Sequence, residues 1–155
     1  MTYWDWAVEV HGREGVDAAL TSLQDAHGQC VSYLLWAAWA AAHSRPVEEA
    51  LLRTAADVAH AWEAAATGPI RHARRELKAP FPPIDEAGKA GLREQVRAAE
   101  FAAERLLMET LEAATPEPSG DPRDVFTALR QAVAAWPNPA PAGVLEDLAA
   151  RLRPG

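Results

Sequence analysis

Apolar positions recur along this chain at helical spacing, and no stretch keeps up the two-residue alternation of a half-buried strand. Thr2 with Asp5 reads as a capping pair that opens a short helix ending before Gly12. A second helix is expected over residues 15–27, with Val16, Ala19, Leu20, Leu23 and Ala26 on one face. Gly28 supplies the left-handed residue that helix ends favour. The third, over residues 31–42, is apolar nearly all round: Val31, Leu34, Leu35, Ala38 and Ala42 form one stripe, and Trp36 and Trp39 lie on another side. A helix of that kind is normally enclosed by others, which places it at the centre of a bundle. As a helix it spans about 18 Å, well short of the ~30 Å hydrocarbon core of a membrane, so no membrane span is expected.

The pattern continues after Ser44 and Pro46 with a helix to about residue 67 that buries Leu51, Val58 and Trp62. Gly68-Pro69 is expected to break or kink it, ahead of a short helix over residues 70–78. The proline run at 79–83 makes a rigid connector, and Asp85 caps a long helix to about residue 114. Its main stripe reads Leu92, Val96, Ala99, Ala103, Leu106, Leu107 and Thr110. Phe101 and Met108, seven residues apart, lie on the opposite side. Asp121 is the expected cap of a further helix carrying Val125, Leu129, Val133 and Trp136, and a last helix carries Leu145, Leu148 and Leu152. The fold class is therefore all-α: a compact orthogonal bundle of about five to six helices plus a C-terminal helical pair. The domain reading is a bundle over residues 1–114, a Pro-rich linker over 115–120, and a pair over 121–155 that is packed on the bundle or tethered to it.

Composition changes this picture little. A chain of 155 residues, 49% apolar and 24% charged, is one ordinary globular domain. Its alanine content, and its preference for Arg over Lys, favour helix and suggest a GC-rich bacterial genome. Charge is more telling. Residues 1–68 hold three Arg against nine acids, residues 69–115 hold eight of each sign, and the net charge is −7. Nucleic-acid binding, which needs a positive surface to displace phosphate counterions, is disfavoured, since the only dense basic stretch is Arg71, Arg74, Arg75 and Lys78. The single cysteine, Cys30, excludes an intramolecular disulfide, and the N-terminus shows no basic and apolar leader, so a cytoplasmic location is expected.

The run Leu23-Gln-Asp-x-x-Gly28-x-x-Val31-x-x-Leu-Leu-Trp36-x-x-Trp39, together with Trp4-Asp-Trp6 and Gly15-Val16, resembles a proteobacterial family of small proteins of unknown function. Trp62, the Arg71/Arg75/Lys78 row, Leu92-Arg93 and the Glu100/Glu104 pair also look like features of that family. The resemblance covers roughly residues 3–111. Two departures are Ala37, where many relatives are expected to carry cysteine, and the residues after about 115, which match nothing in the family. The resemblance implies a helical fold and leaves the activity open.

Several groups could carry chemistry. Cys30 with His11, Asp25 and His27 could in principle activate a thiolate, but His27 shares a face with Leu20 and Leu23, and Asp25 points away. Asp25 is instead expected to tie down the Gly28 turn. Asp57-x-x-His60 is the nearest metal-ligand pair, but no Glu-x-x-His pattern occurs, so no metal or other cofactor is expected. Arg93, Arg97, Glu100 and Glu104 share one row. The two glutamates repel each other unless cations intervene, and Arg97 with Arg71 or Arg75 is expected to serve them. Such a network either braces two helices or holds an anion or a peptide.

Trp4, Trp6, Trp36, Trp39 and Trp62 crowd the first 62 residues. Trp36 and Trp39 cannot both follow the main stripe of their helix. One of them should meet the N-terminal aromatic helix, line a groove or sit at an interface. Catalytic and metal residues are not expected. The candidate binding residues are Trp4, Trp6, Asp25, Trp36, Trp39, Arg71, Arg75, Glu100, Phe101, Glu104 and Met108. The leading expectation is a non-catalytic module that binds another protein, with a second copy of itself as a further option. The alternative is a small-molecule or lipid binder, potentially enzymatic, with a tryptophan-lined pocket.

Overall fold

A computed structural model describes residues 1–153, and every regular element in that span is helical. In chain order these are α1 (Tyr3–His11), α2 (Val16–His27), α3 (Val31–Ala42), α4 (Glu49–Trp62), a π-turn (Glu63–Thr67), α5 (Gly68–Glu76), α6 (Glu86–Ala113), α7 (Val125–Ala135) and α8 (Ala142–Leu152). The local signals explain the boundaries. Thr2 Oγ1 accepts from the Asp5 amide at 3.1 Å and donates to the Asp5 carboxylate at 2.7 Å. Gly28 closes α2 at φ 59°, and Asp85 accepts from the Gly88 amide at 2.7 Å to open α6.

α3 is the hub. Residues 33–41 are buried on every side of it, because other helices surround it. Tyr3 of α1 lies 5.5 Å from Trp39 between ring centroids. Leu20 and Leu23 of α2, Leu52 and Ala56 of α4, Leu107 and Leu111 of α6, and Leu129 and Ala132 of α7 join the same core. The Tyr33 ring stacks between Trp36 and Trp136, and its hydroxyl reaches the carbonyl oxygens of Leu52 and Ala132, each 3.2 Å away. The Trp136 indole in turn donates to the Gly28 carbonyl at 2.8 Å. Arg13 caps the last turn of α8, donating to the carbonyls of Arg151, Leu152 and Arg153 at 2.9–3.3 Å. A cation at a helix C-terminus satisfies both the unpaired carbonyls and the helix dipole.

Four local expectations change. Gly68-Pro69 does not interrupt the helical run; the chain widens into the π-turn, in which the Gly68 amide bonds the Glu63 carbonyl five residues back. Proline has no N–H for the regular ladder, and one π-turn absorbs the mismatch. α4 begins at Glu49, after Ser44 at φ 58°, and its buried stripe is Leu52, Ala55, Ala56 and Ala59 in place of Leu51, which is half-buried, and Val58, which is 40% exposed. α7 is capped by Asp124 instead of Asp121, its carboxylate accepting from the Thr127 amide at 2.8 Å. Backbone bonds from Ser119 to the Ser44 carbonyl and from Arg123 to the Ala41 carbonyl hold the preceding segment extended along the end of α3.

The fourth change concerns α6. Leu92 and Leu106 are 50% and 55% exposed, while Met108, expected beside outward-facing Phe101, is buried. The inward stripe is Glu100, Ala103, Leu107 and Leu111, with Lys89 further up. A pattern reading that assigns charged residues outward misphases a helix whose buried face includes Glu100 and Lys89.

Candidate binding groove and its arginine–glutamate floor

Glu100 of α6 is buried, and two arginines of α5 answer it. Arg71 Nε donates to one carboxylate oxygen at 3.1 Å, and Arg74 Nε donates to the other. Arg71 lies at the centre of the cluster, its Nη2 also standing 3.5 Å from Glu63 and 3.6 Å from Glu104. Burial alone would lower the Arg71 pKa, but Glu63, Glu100 and Glu104 together carry it above the ordinary value. Glu104 moves the opposite way to a well-paired carboxylate. Burial, then the neighbouring Glu100 charge, raises its pKa against the pull of Arg71. Three carboxylates around one guanidinium, with Arg74 committed to Glu100, leave the cluster one positive charge short.

Arg74, Glu100 and Glu104 of this cluster line one part of a polar groove of about 600 Å³. The wall on one side is α2, presenting Asp17, Thr21 and Gln24, and on the other is α6, presenting Arg93, Arg97 and Phe101. Val31, Ser32 and Leu35 of α3 lie beneath. Arg93 and Arg97 are the groove's uncommitted charges. Arg97 approaches only Glu94, at 4.0 Å, and Arg93 pairs with no carboxylate among the described residues, leaving its buried Nε without an acceptor. His11 also lines the groove, 3.9 Å from Asp17, its pKa lowered by burial despite that carboxylate. Below the groove is a cavity of about 10 Å³, bordered by Cys30, Glu63, Thr67 and Arg71. The Thr67 hydroxyl is buried there without a hydrogen-bond partner.

The candidate residues fall into three sets. Glu100, Glu104 and Phe101 line the groove, Arg71 lies beneath it and holds the two glutamates, and Trp4 stands beside it, its ring edge-on to Phe101 at 5.1 Å and covered by the Arg105 guanidinium at 4.7 Å. Asp25 and Arg75 pair with each other at 2.7 Å along the α2–α5 side, so Asp25 does not hold the Gly28 turn and Arg75 does not serve the glutamates. Trp6, Trp36, Trp39 and Met108 belong to the core. Of the three outcomes open to Trp36 and Trp39, the structure shows the first: Trp39 meets Tyr3 of α1, and Trp36 donates its indole N–H to Thr115 at 2.7 Å. Neither lines a groove.

Arg93 and Arg97 stand in the charged row that the spacing predicts, but Arg97 does not serve the glutamates, and Thr21 and Gln24 join the groove wall without a signal in the pattern. The available signal was the basic row of α5: Arg71 stands near Glu63, Glu100 and Glu104 and Arg74 bonds Glu100, so the glutamates are met without the two arginines further up α6. Cys30 offers no nucleophile: burial, and next the Glu63 charge, push its thiol up to about 12, away from the thiolate that attack requires.

The fold and the groove define a helical protein with a charged cleft between two helices of its bundle. More particularly, the chain belongs to the family described as proteins of unknown function (DUF2390), whose model matches residues 2–111. No curated protein and no solved structure matches the chain. The groove, from His11 to Glu104, falls wholly within the matched segment. Among the described residues, no helix is long and apolar enough to cross a membrane, and no group of three or more His, Cys, Asp or Glu side chains could hold a metal ion.

Proposed function

We propose that the protein is a non-catalytic interaction module acting in the cytoplasm, and that the α2–α6 groove receives a segment of another protein. The observation that carries this reading is the uncommitted pair Arg93 and Arg97 beside exposed Phe101, above a floor that includes Val31 and Leu35. Free guanidinium groups next to apolar surface suit an amphipathic peptide better than a small apolar ligand, and Arg and aromatic residues are enriched where proteins meet. The reading of a small-molecule or lipid pocket walled by tryptophan loses its support, since Trp6, Trp36 and Trp39 are core residues.

Affinity purification from the native host tests the proposal with two exposed-site variants. Phe101→Glu, in the groove wall, should lose a stoichiometric partner. Val58→Glu, exposed on α4, should keep it. A partner retained by both variants, or a strictly monomeric protein with no partner at all, defeats the proposal.

A further inference from the structure

Building on the groove as the partner site, we propose that its anchoring subsite is an oxyanion site at Arg93 and Arg97, which takes a side-chain carboxylate of an acidic partner segment. A buried guanidinium N–H without an acceptor is costly, and Arg93 Nε is in that position. The glutamates that share the groove cannot relieve it. Glu100 is held on both oxygens by Arg71 and Arg74, and Glu104 faces Arg71. On the opposite wall, Asp17 stands beside His11. Arg93 and Arg97 are one helical turn apart on α6 and both line the groove, a spacing at which two guanidinium groups can receive the two oxygens of one carboxylate or two neighbouring acidic side chains. Phe101 lies one turn further along the same wall and supplies the apolar contact beside the charge. Arg97 is largely solvent-exposed, so it attracts the segment, while Arg93, which is less exposed, fixes its register.

The test uses two synthetic peptides of equal length, one alternating Glu and Leu, the other with Gln in place of every Glu. The full-length protein is titrated with each while the arginine Nε–Hε resonances and the backbone amides are followed by NMR. The Glu peptide should shift the Arg93 and Arg97 side-chain resonances, with an affinity that falls as salt rises. Arg93→Gln/Arg97→Gln should weaken it about 10- to 100-fold, the range expected for losing charge-assisted hydrogen bonds. Arg93→Lys/Arg97→Lys should recover part of the binding. Equal binding of both peptides, with groove amides shifting and the arginine side chains still, overturns the oxyanion site but leaves the groove standing. No shift at Thr21, Leu35 or Phe101 with either peptide, against saturable shifts elsewhere, counts against the groove as well. A third titration, with inorganic phosphate, separates sources. Arginine shifts with phosphate but with neither peptide would mean the site takes free anions, and would overturn the assignment to a partner side chain.

Discussion

Glu104 shows most clearly how a single residue reflects its surroundings. Its neutral form is favoured by burial and by Glu100, so the folded protein holds this proton more tightly than the unfolded chain does. The associated stability is complete below the ordinary carboxylate range and is lost as pH rises through the raised value, because there the native state binds more protons than the unfolded one. Glu104→Gln keeps the neutral form at every pH. Denaturant unfolding measured across that window should therefore show a flatter decline for the variant than for the wild type. Parallel slopes would mean that Glu104 holds its proton no more tightly in the folded protein than in the unfolded chain. The cluster around it was partly legible beforehand, since the i,i+4 spacing of Glu100 and Glu104 called for cations. Which arginines answer depends on how α5 is rotated against α6, and that rotation follows from the π-turn, which leaves no periodic mark.

At the scale of elements, that π-turn ties the groove floor to α4. Gly68 is the residue that permits it: a Cβ there would lie 2.7 Å from the Glu63 carbonyl oxygen, a backbone atom that cannot swing aside. Gly68→Ala should cost about 1–3 kcal/mol through that clash, despite alanine's better helix propensity. A thermal melt checks it, and a neutral or stabilised variant would show that the turn yields easily. The caps at Thr2, Gly28 and Asp85 were readable because each rests on contacts within a few residues. The phase of α6 was not. Its inward stripe carries Glu100, and only tertiary partners reveal that a charge belongs there.

The whole molecule joins the matched segment, residues 2–111, to a C-terminal pair that the family model does not cover. α7, the Trp136 that follows it, and α8 supply Leu129, Trp136, Leu145 and Leu148 to the common core, and Arg13 reaches across to the final carbonyls of α8. Removing residues 116–155 would bare Tyr33 and part of the α3 surface to water, with aromatic area on the order of 150–250 Å² per ring involved. The truncated chain should unfold less cooperatively and bind a hydrophobic dye. A truncated chain with the full-length melting temperature would show that α7 and α8 are accessory. The central place of the tryptophan helix is legible in its pattern, but what covers the side that carries Trp36 and Trp39 is not. Trp36 and Tyr33 are covered by segments roughly 80–100 residues away, contacts of a range that periodicity does not report.

The central claim is that partners meet this protein at the α2–α6 groove, while the tryptophans build the core beneath it. The most direct measurement is an amide chemical-shift map of the full-length protein on binding the partner recovered from its host. The map should be centred on Thr21, Gln24, Leu35, Arg93, Arg97 and Phe101, with the resonances of Trp36 and Trp39 little changed. A footprint centred instead on the exposed Phe81, Ile84 and Leu92 tip, or along α7 and α8, would contradict it.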